Sequence, residues 1–102
     1  MKGFTKFDAA EFLDNEEIIA EYLAAALEAD DPDLFITALG NVAKARGMTQ
    51  VAAAIGVGRE SLYKSFKSNT KLRYETVRKI LDSFGVRLTV EKAAVSQRAD
   101  AA

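Results

Sequence analysis

MTQVAAAIGVGRESLYKSFK, residues 48–67, carries a small residue at Ala52, a glycine four places on at Gly56 and an apolar residue six beyond that at Leu62. Two short helices joined by a tight turn need this spacing. A bulky side chain at Ala52 would push the helices apart, and a β-carbon at Gly56 would disfavour the left-handed backbone that ends the first helix. In the second helix Val57, Leu62 and Phe66 are expected to face inward, with Leu62 and Phe66 one turn apart. Arg59, Glu60, Ser61, Tyr63, Lys64 and Lys67 are then left on the outside. Long donors, a hydroxyl and a carboxylate at the start of an exposed helix suit the base edges of a DNA major groove, where arginine matches guanine and glutamate accepts from cytosine. An ordinary solvated face of the same shape is the competing reading.

Around this stretch the expected elements are helical. Asn15 or Asp14 caps a helix to about residue 29, with Glu16 and Glu17 against its positive end and a stripe of Ile18, Ile19, Tyr22, Leu23, Ala26 and Leu27 facing the core. Asp31 followed by Pro32 reads as an N-cap with proline in the first helical position. That second helix runs to about Arg46, buries Phe35, Ile36, Leu39, Val42 and Ala43, and stops at Gly47. Lys44 and Arg46 in its last turn suit the helix's negative end and also a phosphate. Thr49 reads as the cap of the next helix, and Thr49 and Gln50 are residue types that hold a DNA backbone. Beyond the quoted stretch, Lys71 and Arg73 lie in a polar loop expected to pass near phosphates. A helix from Tyr74 or Glu75 then buries Val77, Ile80, Leu81 and Phe84 and ends at Gly85.

After Gly85 the period changes from helical to alternating. Val86, Leu88 and Val90 alternate with Arg87, Thr89 and Glu91, the pattern of a short β-strand with one apolar face. A lone strand needs a partner for its backbone groups. A second copy of the chain would supply one and give the twofold symmetry of a palindromic site, and a different protein is the rival. The expected fold is therefore all-α: a small five-helix bundle with an N-terminal helical extension and a short C-terminal strand. Its expected divisions are residues 1–31, 32–92 and a mobile tail at 93–102.

Composition limits the chemistry. The 102 residues are about half apolar, enough for one modest core. Cysteine and histidine are both absent, which removes disulfides, thiolate nucleophiles, histidine-based triads and zinc sites. No catalytic residues, metal ligands or cofactor site are expected, and with no apolar run long enough for a signal peptide or span the expectation is a soluble cytoplasmic protein without a membrane partner. The net charge of −1 conceals a division. Through Leu34 there are ten acidic residues against two lysines, net −8, and from Phe35 onward twelve basic against five acidic, net +7. The cationic part favours phosphate, and the anionic part suits a basic protein. In residues 1–14 Phe4, Phe7, Phe12 and Leu13 form an aromatic arm, with Asp8 as cap of a short turn, that packs on its own domain or on another chain.

Residues 32–90 resemble the Cro and lambda-repressor type of helix-turn-helix domain. More narrowly, FDAAEFLDNEEIIAEYL (7–23), DPDLFITALGNVAKARGMTQVAAAIGVGRESLYKSF (31–66) and YETVRKILDSFGVRLTV (74–90) resemble the HigA-like addiction module antidote family, with GRESLYK after Ala-Ala-Ile-Gly the most diagnostic piece. The resemblance implies a bacterial antitoxin that represses its own operon as a dimer and neutralises a RelE-like toxin, a ribosome-associated messenger-RNA endonuclease. It implies base reading by Arg59, Glu60, Ser61, Tyr63 and Lys64. Two departures stand out: Met48 occupies a position where broader repressor relatives carry glutamine, and Gly58 replaces the usual serine cap. The acidic and aromatic residues 1–30 are the expected hold on a basic toxin. A repressor without a toxin and a helical adaptor that binds only protein are the alternative readings.

Overall fold

The computed structural model describes residues 15–67 and 71–93. Phe4, Phe7, Phe12, Leu13 and the turn expected after Asp8 lie outside the described residues, as does the tail beyond residue 93. Five helices form: α1 (Glu16–Glu28), α2 (Pro32–Arg46), α3 (Met48–Ile55), α4 (Arg59–Ser65) and α5 (Tyr74–Phe84).

Each start and stop has a local cause. Asn15 caps α1, its Oδ1 accepting from the N–H groups of Glu17 at 2.8 Å and Ile18 at 3.2 Å, which satisfies two otherwise orphaned donors. Asp31 caps α2 by accepting from the Asp33 N–H at 3.0 Å, and Pro32 takes the position where its missing N–H costs nothing. Gly47, at φ +106°, closes α2 by donating to the Ala43 carbonyl at 2.9 Å, and its own carbonyl accepts from Val51 at 3.0 Å to open α3. One glycine thus serves two helices. Thr49 is accordingly the second residue of α3 and not its cap, because the turn is complete one residue earlier.

Gly56 adopts the left-handed conformation (φ +81°, ψ +31°) that ends α3, as the spacing of the motif demands. Ala52 beneath it is 3% exposed. Val57 departs from expectation: it is 42% exposed. Its N–H donates back to the Ala52 carbonyl at 3.0 Å to complete the cap, and the side chain is left outside the core. α4 ends at Ser65 with Phe66 as its C-cap, so Lys67 follows the helix and is not on it.

Ile19 of α1, Leu39 and Val42 of α2, Leu62 of α4, and Ile80 and Phe84 of α5 are the largest fully buried side chains. Val51 and Ala52 of α3 join them, and Phe35, Ile36 and Phe66 pack against this cluster partly buried. Among the described residues no polar or charged side chain is buried. The α1 stripe is narrower than its sequence pattern: Ile19, Leu23 and Ala26 are buried, whereas Ile18 and Leu27 are 38% and 50% exposed. The Asn41 amide donates to the Tyr22 hydroxyl at 2.8 Å, tying α2 to α1.

The expected C-terminal strand is not formed, and the described residues are helical and irregular only. A ladder needs a second strand, and α1–α5 satisfy their backbone groups internally, so none of the described residues offers a strand to pair with. The Val86 N–H instead donates to the Leu81 carbonyl at 3.1 Å behind Gly85 (φ +85°), finishing α5. Val86 is half-buried, Leu88 is 39% exposed and Val90 is 94% exposed.

Candidate nucleic-acid interface

α4 has only seven residues, too few to hold a helix in water without help. Leu62, 1% exposed, anchors it from behind, and Phe66 continues the anchor one turn on against α2. This contact is close: a β-carbon on Gly40 of α2 would stand 3.1 Å from the Phe66 Cβ. The rest of α4 is turned outward, with Arg59, Glu60, Ser61, Tyr63 and Lys64 all exposed. Arg59 and Tyr63, one turn apart, touch. The Arg59 Cζ lies 5.1 Å from the Tyr63 ring centroid and its Nη2 donates to the Tyr63 hydroxyl at 3.4 Å.

Beside them a shallow cleft of about 320 Å³ is walled by Lys44, Arg46, Thr49, Gln50, Arg59 and Tyr63. Three elements meet there. The Gly47 turn brings the last turn of α2 against the first turn of α3, and the Gly56 turn swings Arg59 alongside. Four expected residues, Thr49, Gln50, Arg59 and Tyr63, thus share one wall. Glu60, Ser61, Lys64 and Lys67 are exposed but line no part of it. Lys71 and Arg73 are exposed ahead of α5, beyond residues 68–70, which lie outside the described set. Lys44 and Arg46, expected to suit the end of α2 and also a phosphate, belong to the cleft. The one-residue turn at Gly47 is what brings them beside the start of α3.

A second, apolar concavity of about 310 Å³ shares no residue with the first. Leu23 and Leu27 of α1, Phe35 of α2, Leu81 of α5, and Val86 and Leu88 form its apolar lining. Val86 and Leu88 lie there together with Arg87 and Thr89, so the expected alternation does not separate the two pairs, and Val90 lines neither concavity. On α1 the side chains of Glu16, Glu17, Glu21 and Glu28 are exposed. Within the described residues no cluster of acidic side chains is placed to hold a metal ion, and no helix is long and apolar enough to cross a membrane.

A small helical domain with an apolar core, a cationic cleft and an acidic first helix has the character of a regulatory, partner-binding protein. Comparison with known families gives the class. A family described as "Probable addiction module antidote protein" matches residues 3–92, and the chain belongs to that family. An uncharacterized protein of Haemophilus influenzae (strain Rd) is 37% identical over 87 residues, covering 85% of this chain and 90% of its own. No solved structure matches the chain significantly. Membership in an antidote family implies a toxin partner of some kind.

Proposed function

We propose that the chain is the antitoxin of a type II toxin–antitoxin system, with two jobs divided between its two charged regions. In the first, α3 and α4 act as a helix-turn-helix of the Cro and lambda-repressor type, and a dimer of the chain binds operator DNA to repress its own operon. The observation that carries this reading is the cleft where Lys44, Arg46, Thr49, Gln50 and Arg59 converge beside the exposed face of α4. Cations and helix-start donors there suit phosphates, which set register and orientation. Arg59, Glu60, Ser61, Tyr63 and Lys64 are then the side chains turned toward base edges. Lys67, Lys71 and Arg73 add sequence-independent contacts.

In the second job the acidic region through residue 31 holds the toxin, for which the resemblance suggests a RelE-like messenger-RNA endonuclease. A ribonuclease surface that binds RNA is cationic, and the exposed glutamates of α1 complement it. Phe4, Phe7, Phe12 and Leu13 supply apolar anchors for the same partner. For dimerisation, residues 87–90 are irregular backbone beyond the end of α5, and Leu88 and Val90 are exposed, the features a strand pairing with its own copy would use. Two such copies need their α4 helices about one turn of B-DNA apart, ~34 Å.

The decisive experiment measures duplex binding by two variants over a range of salt. Arg59→Ala should weaken binding to the specific site by ~1–3 kcal/mol and relax preference at one base pair. Lys71→Ala should weaken all sequences alike and reduce the slope of log affinity against log salt by about one. Undiminished specific affinity in Arg59→Ala would overturn the assignment of α4. For the toxin, co-purification with the product of the neighbouring gene is expected from the full chain and reduced after deletion of residues 1–14. Equal toxin affinity after that deletion removes the arm from the reading.

A further inference from the structure

Arg59 is the first residue of α4, and Tyr63 lies four residues on, the separation at which two side chains of a helix meet. Two contacts join them. The guanidinium carbon stands 5.1 Å from the ring centroid, within range of the attraction between a cation and the ring's electron-rich face. At the same time Nη2 donates to the phenolic oxygen at 3.4 Å. Both side chains are exposed, so core packing does not force the pairing. Glu60, the nearest acidic residue in sequence, is adjacent to Arg59 and adjacent helix positions do not face each other.

The two contacts constrain the guanidinium in different ways. The ring limits where its charge sits, and the hydroxyl limits how the group is turned. An exposed arginine otherwise samples many rotamers and loses that freedom when it binds, at a cost to affinity. Only one donor of the planar fork is engaged by the hydroxyl. The others remain for the paired O6 and N7 acceptors of a guanine in the major groove.

We infer that Tyr63, which the reading above sets among the base-facing side chains of α4, acts there as a positioning residue and not by contacting a base itself: its ring and hydroxyl hold Arg59 in one conformation before DNA arrives, presetting α4 for a guanine. This rests on the DNA-binding reading above. The energy Tyr63 contributes therefore passes through Arg59 and vanishes when Arg59 is removed.

A double-mutant cycle tests it. The full-length chain selects duplexes from a randomised pool, and fluorescence anisotropy then measures affinity for the enriched duplex and for a scrambled duplex of the same composition. Tyr63→Ala should weaken the enriched duplex about three- to fivefold, and Tyr63→Phe, which keeps the ring, less than about twofold. In an Arg59→Ala background, Tyr63→Ala should change affinity by less than about 1.5-fold. Affinity for the scrambled duplex and its salt slope should be the same in all Tyr63 variants. An additive cycle overturns the positioning role, because Tyr63 would then contact DNA itself; so does an unaffected Tyr63→Ala. Those results leave the DNA reading standing. A wild-type chain that enriches no duplex and binds none in a salt-dependent way overturns that reading, and the inference with it.

Discussion

A glycine inside a helix costs roughly 1 kcal/mol relative to alanine, yet α2 carries one at Gly40, fully within its span and buried. Phe66 is the reason. A β-carbon at Gly40 would lie 3.1 Å from the Phe66 Cβ and 3.2 Å from its Cγ, so the bare backbone is what lets the end of α4 close on α2. Gly40→Val should destabilise by ~1–3 kcal/mol through overpacking, read as a lowered midpoint in thermal melting. DNA affinity should fall with it, since Phe66 helps to seat α4. At the first helix, Asn15→Ala removes the acceptor for two N–H groups and should cost about 1 kcal/mol. That loss should appear in stability alone, with no change in duplex binding, because Asn15 lines no part of the cationic cleft.

Among the elements, α4 is the least able to stand alone. Its seven residues lie near the lower limit of helix length, no side chain caps its start at Gly58, and a single side chain, Leu62, is fully buried beneath it. Leu62→Ala should cost ~2–5 kcal/mol and lower DNA affinity without removing any contact to DNA. Circular dichroism separates the cases: loss of binding in step with loss of helix supports the anchoring role, and full helicity with lost binding contradicts it. α5 is the sturdier support. Val77, Ile80, Leu81 and Phe84 repeat at helical spacing and all four are buried, and its packing against α3 backs the paired helices from behind.

For the whole molecule, the proposed function gives the two oppositely charged regions, the first 34 residues and the remainder, to different partners. The exposed glutamates of α1 and the cations of the cleft belong to separate elements, so toxin and DNA are expected to bind together. The apolar concavity by Leu27 and Leu88 shares no residue with the cationic cleft and is bordered by Glu28 of the acidic helix. Under the dimer proposal, Leu88→Lys with Val90→Lys should yield monomers in sedimentation and weaken operator binding steeply. Thermal stability of the monomer should hardly change through Val90, which is 94% exposed, and should fall modestly through Leu88, which is 39% exposed and lines the apolar concavity. A dimer that survives both lysines rules out pairing through residues 86–90.

The sequence by itself determined the five helices, the cap at Asp31, a cap for α1 at Asn15 or its neighbour Asp14, the left-handed stop at Gly56 and most of the core, because these depend on interactions within a few residues: a side chain reaching its own backbone, a missing β-carbon, a period of three and four. It also marked α4's outward residues, since burial of Leu62 leaves the others no alternative. Tertiary structure alone decided the rest. That Gly40 receives Phe66, that Val57 stays outside while Ala52 is covered, and that Lys44 and Arg46 join Arg59 around one cleft all depend on the directions in which Gly47 and Gly56 turn the chain. The alternation of Val86, Leu88 and Val90 predicts a strand that the single chain does not form, for the complementary reason: a period of two describes which faces are apolar, whereas a strand exists only where another backbone is present to complete its hydrogen bonds.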